Sequence, residues 1–380
     1  MRIVYCIDSI NRIGGIQRAT VTKANALAAL PGNEVWVIVA DNSGESFFPL
    51  SPEIHFVDLG VNYYEDDWKS RWNVIKGLLI KRRIHRKRLA EHLHGIDPDV
   101  VVSVGLSEKF FLPRIKGKWV TVREFHFTRD YRRRTARCLF DKVTAIAGDM
   151  VDRCSALRLY DRIVVLTRED RDTNWRKQDG VVVIPNPSVF RPGERSSLVA
   201  KRVISVGRLS YQKNYTSLTR AYSAVAERYP DWRLDILGGG EEYQTIASEI
   251  ERLGLVGKVN LMGNSREIAR ELTSSSIFVM SSWFEGLPMA MIEAMSCGLP
   301  VVSYSCPCGP KDIIRDGVDG YLVPQGDEKA LAERICRLIA DKERRDAMGR
   351  AAFEASGRYD LPSVTNEWMT LFEALTSGKR

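Results

Sequence analysis

Short runs of β-branched and aliphatic residues recur along this chain, each bounded by turn residues and followed by a longer stretch of helical periodicity: "RIVYCID", "EVWVIVA", "DVVVSVG", "KWVTVRE", "DRIVVLT", then "RVISVGR", "WRLDILG", "KVNLMG", "SIFVMSS" and "PVVSYS". Strand–helix alternation implies parallel sheets, because a parallel connection needs a crossover long enough to hold a helix. The runs are continuously apolar rather than alternating, so each strand is expected to be covered by helices on both faces, the doubly wound α/β arrangement. The segment "IPNPSVFRPGERSS", residues 184 to 197, interrupts the pattern with three prolines, a glycine and polar residues, and reads as a linker. A chain of 380 residues fits two domains of about 150–200 residues each. The expected division is 1–187 and 188–361, two Rossmann-like halves facing each other across a cleft. The last helix-like stretch, 362–380, follows the break at "GRYDLP" and is expected to cross back onto the first half. Ligands bind at the carboxyl ends of parallel strands, so the chemistry is expected between the halves.

Composition narrows the class. With 44% hydrophobic and 27% charged residues the chain resembles a soluble globular enzyme, and no apolar run approaches the roughly 20 residues of a membrane span. The start, "MRIVYCIDSI", reads as a buried strand and lacks the basic, apolar and cleavage regions of a signal peptide, so a cytoplasmic location is expected. Seven scattered cysteines argue against a disulfide framework. Cys306 and Cys308 have no second Cys/His pair at finger-like spacing, so no structural metal is expected.

The net charge of +8 is concentrated in residues 68 to 93, "WKSRWNVIKGLLIKRRIHRKRLAEHL", where nine Lys and Arg residues meet one acid, Glu91. Trp68, Trp72, Ile75, Leu78, Leu79 and Ile80 supply an apolar side. Basic residues with Trp and Leu at helical spacing suit a helix lying on an anionic bilayer, the alternative being a solvated helix packed on its own domain. None of the usual zinc, RNA-binding or basic-zipper patterns is present, so no nucleic-acid partner is expected.

Several loops carry candidate chemistry. "IDSINRIGGIQRATVTKANALAAL" reads as strand, Gly14-Gly15 turn and helix, a place where backbone comes close to a phosphate or sugar. "VISVGRLSYQKNYTSL" carries Arg208 and Lys213 after a strand, two cations that can bracket a diphosphate. The P-loop spacing is absent, which removes the main support for an ATPase. "LDILGGGEEYQTI" invites a dinucleotide reading, but Tyr243 stands where the third glycine should be, so a tight turn is the better account.

The stretch "WFEGLPMAMIEAMSCGLP" holds two glutamates eight positions apart in apolar surroundings. "LPMAMIEAMSCG" reads as a helix with Pro288 near its first turn and Gly298 at its end, so Glu285 precedes it and Glu293 lies about one and a half turns in. The helix N-terminus favours a phosphate, and each carboxylate can accept from two adjacent hydroxyls. A nucleotide sugar, a phosphate group between two sugars, matches that set.

These residues resemble the E-x7-E segment of retaining glycosyltransferases of family 4, which have the GT-B fold. "GGIQRA", "VGRLSYQKN", "IPNP", "FEGLPMAMIEAMSCGLPVV" and "GPKDIIRDGVDGYLV" fall in that family's order over nearly the whole chain. The resemblance implies that Glu293 binds the donor ribose and Glu285 the hexose, while Arg208 and Lys213 hold the diphosphate. It further implies that the Gly286, Leu287 and Pro288 backbone lines the sugar and phosphate pocket, that Asn264 lies near the base, and that Gly15 approaches the donor phosphate. His126 in "VREFHFTRDY" resembles the histidine that contacts the transferred sugar. Two departures fall on the acceptor side: Gln17 where many relatives carry Glu, and "EFHF" in place of a plain His-Asp pair.

The expected activity is metal-independent transfer of a hexose from a nucleotide sugar, with UDP favoured by the resemblance, to a lipid-linked or membrane-surface glycan with retention of configuration. The expected setting is bacterial surface polysaccharide or lipopolysaccharide synthesis, peripheral on the inner face of the cell membrane. No cofactor beyond the substrates is expected. The rival readings are a hydrolysing nucleotide-sugar epimerase and a noncatalytic sugar-nucleotide or membrane-binding subunit.

Overall fold

All ten apolar runs become strands of two parallel sheets. The computed structural model describes every residue except 12–13, 42–45, 64–70, 137, 156, 189, 191–192 and 379–380, together with the side chains at 71–78, 140, 151–155 and 157. The chain divides into two units, the first comprising Met1–Leu166, Arg171–Pro187 and Leu361–Arg380, the second Thr167–Asp170 and Ser188–Asp360.

The first unit contains β1 (Arg2–Ile7), β2 (Glu34–Val39), β3 (Ile54–Asp58), β4 (Val100–Ser103), β5 (Val120–Glu124), β6 (Arg162–Val165) and β7 (Val181–Val183), in the order β3-β2-β1-β4-β5-β6-β7. The second contains β8 (Arg202–Val206), β9 (Arg233–Leu237), β10 (Val259–Gly263), β11 (Ile277–Met280), β12 (Val301–Tyr304) and β13 (Gly320–Val323), in the order β10-β9-β8-β11-β12-β13. Neighbours are parallel throughout. In each sheet the winding reverses beside the first strand, between β1 and β4 and between β8 and β11, the switch point at which doubly wound domains hold ligands.

Strand β1 shows why its run is apolar at every position. Ile3, Tyr5 and Ile7 pack with Val21, Leu27, Trp368 and Phe372, whereas Val4 and Cys6 face Leu89, Leu93 and Trp119 in a separate cluster. Both faces are covered, so alternation disappears. The Leu361–Ser377 helix contributes Val364, Trp368 and Phe372 to the first of these clusters and packs on the Gly15–Ala28 helix. Thr167–Asp170 groups with the second unit through Glu169, whose N–H donates to Asp312 Oδ2 at 3.0 Å and whose carboxylate takes the Cys308 N–H at 3.0 Å and Lys311 Nζ at 2.9 Å.

Three strands lie outside the runs read from the sequence. In β3 only Ile54 is fully buried, β7 is three half-buried valines at the opposite sheet edge, and β13 begins at Gly320, where an added methyl would lie 2.8 Å from the Val301 carbonyl.

The basic segment falls mainly in the Arg71–Ile96 helix. Trp68 and Lys69, and the side chains of Arg71, Trp72, Ile75, Lys76 and Leu78, lie outside the described residues. The remainder is anchored to its own unit by buried His85, Leu89 and Leu93, one turn apart, and by Arg88, which donates to the Gly60 carbonyl at 2.8 Å. Leu79 and Ile80 are each 56% exposed. Among the described residues no helix is long and apolar enough to cross a membrane.

Candidate active site

In the second unit the carboxyl ends of β8, β9 and β11 bring three loops together. Gly207 N–H donates to the Leu237 carbonyl at 2.9 Å and Leu209 N–H to that of Gly239 at 2.9 Å, so the 207–209 and 238–240 segments run in contact. A methyl on Gly238 would lie 2.0 Å from the Gly207 carbonyl oxygen, and one on Gly240 would lie 2.2 Å from that of Leu209. The triple glycine is therefore required by backbone packing, which is the physical content of the tight turn read from the sequence. Asn264, just past β10, stands beside Gly239, with its amide nitrogen 3.3 Å from where a Cβ would be.

Glu285 is 6% exposed and held from three sides: Lys213 Nζ at 2.7 Å, Ser282 Oγ at 2.6 Å and Gln212 Nε2 at 3.3 Å. Ser281 Oγ donates to the Lys213 carbonyl at 2.9 Å, tying the loop after β11 to the short helix Tyr211–Lys213. Asn214, at φ 52°, turns the chain in a left-handed residue into the Tyr215–Arg228 helix. Lys213 and Arg208 do not share a partner. Arg208 is 74% exposed and meets Glu241 at 3.0 Å, while Lys213 is 18% exposed against Glu285.

The helix bearing Glu293 spans Met289–Ser296 with Pro288 as its N-cap residue, and no side chain caps it. Its first N–H groups are thus left for something other than a capping side chain. The Met291 N–H turns back onto the Pro288 carbonyl at 3.0 Å. Gly309, at φ 106°, lies against Pro288, where a methyl would meet its Cδ at 2.4 Å, so the loop before Pro310 closes over this helix start. Leu287 and Pro288 are buried and Gly286 is partly exposed. Glu293 is 6% exposed within a helix whose Met291, Ile292, Ala294 and Met295 are all buried. Burial and the Glu293 charge push the Cys297 thiol up to about 12, and burial raises that of Cys306, so neither is a nucleophile.

The first unit carries a separate constellation. Glu124 closes β5, and the chain then presents His126. Glu124 pairs with Lys23 of the Gly15–Ala28 helix, both side chains essentially unexposed, and the Lys23 ammonium also sits 5.0 Å from the Trp368 ring. Burial pushes Glu124 upward, but Lys23, His126 and Arg123 overcome it and hold the carboxyl below its usual value. His126 Nε2 is 3.3 Å from Glu124 Oε1, and its Nδ1 is 3.3 Å from the Asn186 amide nitrogen. Burial lowers the imidazole to about 4, so it is neutral at pH 7. An Asn186 amide donating to Nδ1 leaves the proton on Nε2. His126 thus differs from a loop histidine bonded to its own backbone.

Glu124 and His126 line a cavity of about 300 Å³ together with Asp8, Gln17, Arg123 and Phe127. Gly15 is the first residue of its helix, and an added methyl there would meet nothing within 4 Å.

Sequence reading missed Lys23, Glu124 and Asn186. Lys23 occupies a core position of its helix, in step with buried Thr20, Ala24 and Leu27, and a lysine there is the signal of a buried partner. Glu124 lies two residues before His126 at a strand end.

Beneath the cavity Arg123 donates to Ser103 Oγ at 2.7 Å, and Ser103 donates to Glu108 Oε1 at 2.8 Å. Burial and Asp8 push the Glu108 carboxyl up to about 7 against the pull of Arg123. The unfolded carboxyl ionises near 4.5, so the folded chain holds an extra proton between those values and loses stability as pH rises through them. Glu108→Gln is expected to raise Tm over wild type at pH 8 and to change it little at pH 4; an equal shift at both would refute this.

Residues 191–355, within the second unit, match the family model Glycosyl transferases group 1. The chain is 26% identical to the amylovoran biosynthesis glycosyltransferase AmsD of Erwinia amylovora over 97% of its length and 98% of that protein. It is 24% identical to a Campylobacter jejuni α-1,4-N-acetyl-D-galactosaminyltransferase, named for an undecaprenol-diphosphate-linked glycan, over 98% of each chain. An exopolysaccharide phosphotransferase of Streptomyces coelicolor is 26% identical over this whole chain, which spans 41% of that protein. Among solved structures, a TarM variant of S. aureus in complex with fondaparinux, α-GlcNAc-glycerol and UDP superposes with a TM-score of 0.74 at 15% identity, covering 98% of this chain and 99% of that one. The group 1 match lies over the loops that gather Glu285, Lys213 and Glu293, and the likeness to solved structures extends over both units, so residues 191–355 resemble a group 1 glycosyltransferase domain within a chain of the GT-B fold.

Proposed function

We propose that this chain is a glycosyltransferase that moves a hexose from a UDP-sugar to a lipid-linked or membrane-surface glycan, with retention of configuration, in the synthesis of a bacterial surface polysaccharide or lipopolysaccharide. The observation that carries the reading is the pair of buried carboxylates, Glu285 and Glu293, on either side of a helix start that no side chain caps. Glu293 takes the ribose hydroxyls and Glu285 the hexose hydroxyls. The diphosphate lies at the helix start beside the Gly286–Pro288 backbone, Asn264 borders the base, and Gly15 approaches the donor phosphate.

Bond cleavage leaves charge on the nucleoside diphosphate. Arg208, exposed beside Glu241, and Lys213, already paired with Glu285, stabilise it, together with the helix N-terminus. No metal is required in this scheme. Neutral His126, whose Nε2 faces Glu124 Oε1 at 3.3 Å, is assigned the contact with a hydroxyl of the transferred sugar. The names of the relatives support a polysaccharide or lipid-linked acceptor, and the UDP in the TarM complex supports the nucleotide. The exposed Leu79 and Ile80 among basic residues support contact of segment 68–93 with an anionic membrane on its cytoplasmic face.

Release of nucleoside diphosphate from a panel of UDP- and GDP-sugars, with EDTA and with or without a membrane extract, tests the reading. The expected result is acceptor-dependent release from one UDP-sugar, unchanged by EDTA. Release of free sugar without acceptor would replace it with the hydrolysing epimerase, and binding without any release would replace it with a noncatalytic role.

A further inference from the structure

On the Leu139–Ser155 helix of the first unit, the described large apolar side chains are exposed. Leu139, Val143, Ile146 and Met150 follow one another at intervals of four, three and four, and are 79, 57, 49 and 62% exposed. At about 100° per residue these four fall in a stripe roughly 60° wide. Only Ala145 of the described side chains on this helix is buried. Single exposed hydrophobics are ordinary on a protein surface, whereas a continuous row of four large ones marks a surface that meets something apolar.

The surroundings say what that is. Ile146 and Met150 border a hollow of about 140 Å³ whose other walls are Arg129, Arg133 and Asp149. Arg133, 48% exposed, meets Asp149 at 2.9 Å. Lys142, exposed, flanks the stripe on the same helix. Cations thus line one border of an apolar stripe, the complement of an anionic headgroup layer over acyl chains rather than of another protein's apolar face. Arg129, Arg132 and Asp149 also line the larger cavity that holds His126.

We propose that the 139–155 helix seats the first unit on an anionic lipid bilayer, its four apolar side chains entering the acyl boundary and the adjacent arginines meeting phosphate headgroups. The seat is distinct from segment 68–93 and rests on the membrane-surface acceptor reading, because it lays the cavity beside His126 next to the lipid headgroups. It explains why Arg129 borders both the hollow beside Ile146 and Met150 and the cavity that holds His126.

The test is cosedimentation of the full chain with phosphatidylcholine vesicles, with and without phosphatidylglycerol. Wild type is compared with Val143→Glu combined with Met150→Glu, and with Arg83→Glu combined with Lys87→Glu in the basic segment. UDP titration and size-exclusion chromatography accompany each. The expected result is binding to phosphatidylglycerol vesicles that falls at least tenfold in the Val143/Met150 variant, with UDP affinity and monomer mass unchanged. Vesicle binding within twofold of wild type, or no vesicle binding by wild type, overturns the seat. A wild-type dimer that the same variant dissociates would overturn it in favour of self-association. Donor turnover is read independently, so failure of the transferase reading shows in the UDP-sugar panel and failure of the seat in the vesicles.

Discussion

Glu285→Gln is expected to lower turnover by about 10²-fold or more while leaving the chain folded. The replacement keeps the shape and the Ser282 contact but removes the charge that Lys213 faces at 2.7 Å and that the hexose hydroxyls are proposed to meet. A hydrogen bond to a charged group contributes about 1.5–3 kcal/mol, and the carboxylate is assigned two from the sugar. Lys213 adds a second consequence: with Glu285 neutral, its ammonium loses its ion-pair partner and KM shifts with kcat. Lys213→Met should therefore depress turnover by a similar factor, and the double variant should cost less than the sum of the two, since they share one contact. Steady-state kinetics on the four proteins checks this; strictly additive losses would show that the pair is not one unit of the site.

Lys23→Met is expected to be the most destabilising single change in the first unit. The side chain is 1% exposed and Glu124 opposite it is 0% exposed, so removing the ammonium leaves a carboxylate buried without its principal partner. Breaking one side of such a pair costs about 3–5 kcal/mol. The Trp368 ring loses its cation as well, which loosens the hold of the C-terminal helix on the Gly15–Ala28 helix. Replacing both members, Lys23→Met with Glu124→Leu, should recover part of the loss because no charge is then stranded. Chemical denaturation of the three proteins gives the answer, and a Lys23→Met loss under about 1 kcal/mol would contradict a charged pair. Activity follows a different course: Glu124 lies 3.3 Å from His126, so the double variant stays impaired even where its stability returns.

How much of this was legible beforehand depends on the physics of each element. The doubly wound sheets follow from runs such as "RIVYCID", because a strand buried on both faces has no polar position to confuse it with another element. Strands β3, β7 and β13 were not legible: their burial is partial or they open on a glycine, so a local window sees no run. Glu285 and Glu293 could be singled out because a carboxylate in an otherwise apolar stretch needs a reason. What they touch could not be read. The sequence suggested Arg208 and Lys213 as two arms of one clamp, yet one pairs with Glu241 at the surface and the other with Glu285 inside. The Lys23–Glu124 pair spans 101 positions, and only the parallel topology brings the two together. The exposed row on the 139–155 helix has the periodicity of a core helix, so pattern alone assigns it to the interior.

The measurement that tests the central claim most directly is calorimetric titration of UDP and of the active UDP-sugar into wild type, Glu293→Gln and Glu285→Gln. The account predicts that Glu293→Gln weakens both ligands by about the same factor, of order 10-fold or more, because the ribose is common to them. Glu285→Gln should leave UDP within twofold and weaken only the UDP-sugar. UDP binding that is untouched by Glu293→Gln would contradict the assignment of the two carboxylates, and with it the donor site in the second unit.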